Sequence, residues 1–334
     1  MPPLDLLRQV SRSFSLSLAV LPRSLREPVG LAYMFARAAD TIADTRLVDR
    51  GQRLAQLEAL REALAAGRAL PAPAGLATAQ DDPAERRLLE RLPECFAALD
   101  RLDPADQARV RAVLAIITEG MVFDLTRFPG EDASRLCALE TLEDLDRYTY
   151  LVAGGVGEFW TEIHVAHRRR LARWDLPLMK ARGLRFGKAL QMTNVLRDLP
   201  RDLRGGRCYL PRVELAALGL APADLLDPRA AGRVRPLFER LLRLTLEHYE
   251  VAWQYTLAIP RAETRMRLAC AWPLLIGLGT LELLAGSRQL LSPEARIKLS
   301  RAAVRGILAR SALTVWSNRT LAADAARLRR RIAV

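Results

Sequence analysis

The chain has 334 residues, half of them hydrophobic, enough to bury a large core as one big domain or two ordinary ones. Its 51 basic and 38 acidic residues leave a formal charge of +13, a sign that suits nucleic acid, an anionic membrane surface or an anionic substrate. Only Lys180, Lys188 and Lys298 are lysines, acids are interleaved throughout and aromatics are 6%; this speaks against a nucleic-acid groove, and four scattered cysteines without a Cys-x-x-Cys speak against a zinc site or disulfide framework.

Read in chain order, a Ser11-Arg-Ser-Phe14 segment precedes a helix through Gly30 to Asp44, and an amphipathic helix follows over Leu54 to Ala66. Leu70 to Pro83, rich in Pro, Ala and Asp, reads as a loop. Helices over Ala84 to Leu99 and Asp103 to Phe128 stop at Pro129-Gly130, and Thr141 opens another with acids near its start. A helix through Arg185 to Asp198 leads to the Gly205-Gly206 turn, and Leu220 to Val234 reads as irregular. Helices over Arg235 to Leu257, Thr264 to Leu284 and Pro293 to Arg310 complete the pattern. The last trails into a basic tail, Arg327 to Arg331, within a mobile end at about 320–334: either a frayed, solvated end or a patch drawn to anionic headgroups.

No period-two alternation and no Asn-Gly hairpin signal interrupt this series, so the expected fold is all-α and a single domain over residues 1–334. The N-terminus lacks the basic-then-apolar layout of a signal peptide, and the longest apolar stretch, Leu268 to Leu281, is too short to span a bilayer and reads as a buried core helix. The expectation is a cytoplasmic, monomeric protein, in peripheral contact with the inner membrane surface at most.

Two acidic motifs stand out, Asp40-Thr-Ile-Ala-Asp44 and Asp198-Leu-Pro-Arg-Asp202, because each lies in an apolar helical stretch where an unpaired carboxylate is costly. At about 100° per residue, Tyr33, Arg37, Asp40 and Asp44 share one narrow face. Gln191, Asn194, Asp198 and, if the helix continues through Pro200, Asp202 share another. Facing each other across a cavity, four carboxylates would repel unless cations sat between them, and hard oxygen donors suit Mg²⁺, which commonly takes one or two carboxylates plus substrate phosphate oxygens. The alternative is a pair of ordinary solvated helix faces.

By these motifs the chain resembles the squalene and phytoene synthase family of head-to-head prenyl transferases. The resemblance runs in order through Ser11 to Phe14, Asp40 to Asp44, Tyr148-Thr-Tyr-Leu-Val-Ala-Gly-Gly-Val-Gly157, Gln191 to Asp202, and Gly205-Gly-Arg-Cys-Tyr-Leu-Pro211. It implies an isoprenoid synthase fold, with helices surrounding a central active-site cavity. It further implies that Asp40, Asp44, Asp198 and Asp202 hold Mg²⁺; that Ser11, Arg12, Ser13, Tyr33, Arg37, Gln191, Asn194, Arg197 and Arg207 face the diphosphates of farnesyl diphosphate; and that Tyr148 is the catalytic tyrosine. Ser11 to Ser13 alone would read equally as a helix cap. Ala153, Gly154, Gly155 and Gly157 either open a chamber for prenyl chains or allow a close helix crossing.

The implied reaction joins two farnesyl diphosphates through presqualene diphosphate. Squalene synthases then reduce the last cation with NADPH, and Arg296 and Lys298, expected on a late helix, resemble their nicotinamide-phosphate pair. Phytoene and dehydrosqualene synthases lose a proton instead and need no NADPH. Ala43 and Arg201 stand where squalene synthases commonly carry Glu, which puts the number of Mg²⁺ ions in question. A rival of another class is a catalytically silent, membrane-associated assembly factor on the same fold.

Overall fold

The first acidic motif closes a 22-residue helix, α1 (Arg23–Asp44), that buries Leu25, Val29, Met34, Phe35, Ala38 and Ile42. Apolar residues three and four apart make that inward face and leave the acids on the other. The computed structural model describes residues 18, 20–45, 48–294 and 297–332, and the chain gathers into two compact units, one within residues 1–126 and 158–180, the other within 127–157 and 181–334.

In the first unit, α2 (Arg50–Ala66) starts at Asp49, whose side chain accepts from Gln52 N, and ends at Gly67 in the left-handed region, φ 66°. Arg53 is buried on α2 and donates from Nη1 to Ala43 O at 2.9 Å, which satisfies a carbonyl in the last turn of α1. The stretch read as a loop contains a five-residue helix, α3 (Ala74–Thr78). The single helix expected over 84–99 is two: α4 (Pro83–Glu90) and α5 (Leu92–Leu99). Pro93 cannot donate back to the preceding turn but fits the first turn of a new helix, so the chain restarts there. Phe96 of α5 meets Phe35 of α1 edge to face at 4.9 Å. A long helix, α6 (Pro104–Arg127), follows.

The second unit holds the one ladder among the described residues, two-residue strands β1 (Cys137–Ala138) and β2 (Arg207–Cys208), paired in parallel. After β1, Thr141 and Asp144 form a reciprocal capping box at the start of α7 (Leu142–Thr149). The helix then widens into a π turn over Tyr150–Gly154 before resuming as α8 (Gly155–His167). Against this stretch lies α9 (Leu176–Arg204), which runs unbroken through Pro200.

The crossing decides what the glycines do: a Cβ on Gly157 would sit 1.8 Å from Gly183 O, and one on Gly187 would sit 2.0 Å from Ala153 O. Of the two readings open for this run, close backbone approach accounts for Gly157. A side chain at either position would collide with main chain, which has nowhere to go.

Beyond β2 come α10 (Arg212–Ala217), two 3₁₀ turns within the stretch read as irregular, and α11 (Ala231–Ala258). The next helix, α12 (Thr264–Gly286), is longer than expected; by length and composition it passes for a membrane span, but 67% of its apolar window is buried inside the structure, as a core helix would be.

The C-terminal part corrects the sequence reading twice. The helix expected from Pro293 begins at Arg301 as α13 (Arg301–Thr314), because Ser300 supplies the cap, its Oγ accepting from Ala303 N at 3.1 Å. The segment expected to be a mobile tail contains α14 (Asn318–Arg329), capped by Ser317, with Leu321, Asp324 and Ala325 buried. Arg267, fully buried on α12, ties both helices down: it donates to Val315 O at 2.8 Å, Ile259 O at 2.6 Å and Asn318 Oδ1 at 2.6 Å.

Candidate active site

On α1 the expected polar line forms. The Arg37 guanidinium lies between the carboxylates of Asp40, one turn along, and Glu85 on α4, and Thr41 Oγ1 donates to Glu85 Oε2 at 3.3 Å. Burial works against the charge on Arg37, yet the two carboxylates outweigh it and raise its pKa above the ordinary value. Asp44 follows one turn later and is exposed, while Tyr33 is half-buried one turn before. Glu85 had no signal in the sequence: it sits 48 residues from Arg37, in a helix with no motif of its own.

On α9 the line is longer. Gln191 Nε2 donates to the Tyr148 hydroxyl at 3.3 Å, and Asn194 Nδ2 donates to Gln191 Oε1 at 3.3 Å. One turn on, Arg197 holds Asp198 in a two-point pair, Nε to Oδ1 at 2.9 Å and Nη2 to Oδ2 at 2.6 Å. That hydrogen bonding raises the Arg197 pKa. Asp202 follows at the next turn. Burial pushes its carboxyl up to about 6; the charge of Asp198 adds to the shift, and Arg201 and Arg207 oppose it. Arg201, in place of the common Glu, reaches both acids, with Nη2 at 3.5 Å from Asp198 and 3.4 Å from Asp202, on a side chain 77% exposed.

Tyr148 is held by its surroundings. Tyr209 stacks on it with ring centroids 4.5 Å apart, and Phe128 meets Tyr209 edge to face at 5.1 Å. Tyr209 belongs to the segment after Gly205-Gly206, whose sharp turn needs Gly206 at φ 80°, with Gly130 and Asp132 pressed against it. The ladder then fixes the approach: Cys137 N donates to Gly206 O at 3.1 Å and Leu139 N to Cys208 O at 3.0 Å. Tyr209 was missed as a site residue although its motif was visible.

Thus Arg37 and Asp40 meet on one helix, with Tyr33 and Asp44 one turn to either side, and Tyr148, Gln191, Asn194, Arg197, Asp198, Asp202 and Arg207 gather around another. Ser11, Arg12, Ser13 and Arg296 lie outside the described residues. Lys298 is exposed, in a non-helical stretch before α13 rather than on the expected helix.

Among the described residues no three His, Cys, Asp or Glu side chains make a ready-formed metal cage. A pair of carboxylates one helical turn apart is nonetheless the donor set that Mg²⁺ accepts when phosphate oxygens and water complete its octahedron. Asp202, whose carboxyl burial and Asp198 push up against the pull of Arg201 and Arg207, fits such an ion, whose charge would favour its ionised form. Of the pair expected to face NADPH, Lys298 is the one that lies among the described residues.

An all-α chain with two acid-bearing helices and an aromatic-backed tyrosine beside an amide line has the makeup of an isoprenoid synthase. The sequence profile of squalene/phytoene synthases matches residues 7–303, and the chain belongs to that family of head-to-head prenyl transferases. The squalene synthase of Eremothecium gossypii is 28% identical over 302 residues, 88% of this chain and 64% of that protein. The bifunctional lycopene cyclase/phytoene synthase of Arthroderma gypseum is 31% identical over 239 residues, 71% of this chain and 39% of that one. The chain therefore spans less than two thirds of the length of these relatives. The solved structure of TcSQS in complex with a ligand superposes with a TM-score of 0.76 at 23% identity, covering 98% of this chain and 97% of that one; a dehydrosqualene synthase superposes at 0.63, also at 23% identity, covering 92% of each chain. At that identity the structures establish the isoprenoid synthase fold.

Proposed function

We propose that the chain condenses two farnesyl diphosphates head to head through presqualene diphosphate and delivers squalene. What supports this is the line that runs from Tyr148 on α7 to Gln191, Asn194, Asp198 and Asp202 on one side of α9, backed by Tyr209. It sets a hydroxyl, two amides and two carboxylates in the order that a reacting carbon followed by its diphosphate would need.

In this reading Arg37, Arg197 and Arg207 bind diphosphate oxygens, and their charge favours departure of the leaving group. Asp40, Asp44, Asp198 and Asp202 would hold Mg²⁺, which supplies further charge neutralisation when bound. In the first half-reaction a C–O bond breaks, pyrophosphate leaves, two carbon–carbon bonds close the cyclopropane, and one proton is lost. The Tyr148 hydroxyl, kept in place by Gln191, accepts or relays that proton, and the stacked faces of Tyr148 and Tyr209 offer electron density to the nearby cation. NADPH would supply the hydride that turns the final cation into squalene, with Arg296 and Lys298 as its proposed contacts.

A second reading, a phytoene or dehydrosqualene type of synthase that ends by proton loss, is favoured by the 31% identity to part of a bifunctional lycopene cyclase/phytoene synthase. Farnesyl diphosphate with Mg²⁺, incubated with and without NADPH, decides between them. Squalene formed only with NADPH supports the proposal; dehydrosqualene in both tubes selects the second reading. No pyrophosphate release in either overturns both and leaves the silent relative.

A further inference from the structure

Helix α13 is fastened on one side only. Of its fourteen residues Ser311 alone is buried, and Ser311 Oγ accepts from Trp272 Nε1 of α12 at 3.0 Å. Ala302, Gly306, Ala309 and Leu313, spaced four, three and four, make an exposed stripe. Val315 keeps helical angles past the helix end, φ −56° and ψ −25°, so the stripe extends to Trp316. Leu313 is 78% and Trp316 57% exposed, the two highest values among the large apolar side chains described.

Charge concentrates in the same stretch. Residues 295–334 hold ten of the 51 basic residues and one of the 38 acidic ones, so nine of the thirteen net positive charges fall there. The single acid, Asp324, is buried and engaged by Arg310 at 2.8 Å. The tail's arginines are partly committed: Arg329 lies 2.8 Å from Glu250 and Arg331 3.6 Å from Glu282. Arg301, Arg305 and Arg319 are exposed beside the apolar stripe.

We propose that α13 and the turn after it rest on an anionic phospholipid surface. Leu313 and Trp316 enter the headgroup boundary, and Arg301, Arg305 and Arg319 meet lipid phosphates. An indole, apolar in body with one N–H donor, suits that boundary, and small residues along the stripe let a helix lie flat. Each basic residue near such a surface strengthens binding about fivefold. Nucleic acid would take the arginines but has no use for an exposed Leu313, so lipid fits the whole patch. The lipid contact that is one of two readings of the Arg327 to Arg331 tail is thereby placed on α13 instead.

The test is flotation of the full chain with vesicles of phosphatidylcholine alone and with phosphatidylglycerol mixed in. Binding is expected only to the anionic vesicles. Leu313→Glu combined with Trp316→Ser should weaken it at least tenfold, as should Arg305→Glu with Arg319→Glu, with circular dichroism unchanged. Leu178→Glu, at an exposed apolar position outside the patch, should leave it unaltered. No binding to anionic vesicles, binding indifferent to the Leu313 and Trp316 changes, or tighter binding to double-stranded DNA at the same salt would each overturn the proposal.

Discussion

Replacing Gly157 by Ala tests the link between the helix crossing and the site. The added methyl would lie 1.8 Å from Gly183 O, where carbon essentially never comes closer than 3.0 Å, so the two helices must part by at least about 1.2 Å. Overpacking of this kind costs about 1 to 3 kcal/mol. With obstructing main chain the upper end applies, offset by about 1 kcal/mol of better helix propensity. A net loss of about 2 kcal/mol lowers Tm by roughly 4 to 8 °C. The same pair of packed helical stretches carries the 3.3 Å contact between Gln191 and Tyr148, which that separation would lengthen, so turnover of the proposed substrate, farnesyl diphosphate, should fall by up to about tenfold, one hydrogen bond's worth. Gly232→Ala on α11, where an added Cβ meets nothing within 4 Å, is the control and should be neutral or slightly stabilising. If Gly157→Ala melts within a degree of the parent and keeps its activity, the crossing is not what requires glycine.

Three further outcomes are expected. Gln191→Leu, which removes the donor to Tyr148 and the acceptor for Asn194, should lower kcat about tenfold with little change in Tm; unchanged turnover would detach Tyr148 from the proposed chemistry. Arg267→Met leaves three oxygens without a donor and should cost about 3 to 5 kcal/mol, so that limited proteolysis removes α13 and α14 first; a digestion pattern like the parent's would refute this. His248 is driven down to about 4, chiefly by burial and then by Arg185 and Lys188. Its folded value lies below the unfolded 6.5, so its stabilising share is complete above pH 6.5 and is lost as pH falls towards 4. The loss is about 3 kcal/mol in denaturant titrations, and His248→Gln should flatten that slope.

The acidic lines on α1 and α9 were legible because a carboxylate in an apolar helix is a conspicuous cost, and helical spacing alone assigns its neighbours. The partner of Arg37 was not, since no local pattern points from one helix to a glutamate on another. Tyr209 depended on a ladder only two residues long, below anything strand periodicity can register. For Gly157 the residues allowed two readings, and only the distance to Gly183 O separated them. The C-terminal helix was hidden by its own arginines: Leu321, Ala325 and Leu328 have helical spacing, but the basic run around them looked like a solvated end.

The wide turn over Tyr150–Gly154 has a rotational consequence. Nine steps separate Tyr148 from Gly157, and at about 100° each they would land on opposite sides of a regular α-helix. Absorbing one residue in the π turn leaves eight effective steps, about 80° apart, so the phenol and the bare backbone patch can address the same neighbour. Excising one residue from that turn would leave eight ordinary α-helical steps and the same angle of about 80°, so Gly157 should keep its place beside Gly183; closing the turn without a deletion would instead swing Gly157 round by about 100° while Tyr148 stayed where it is.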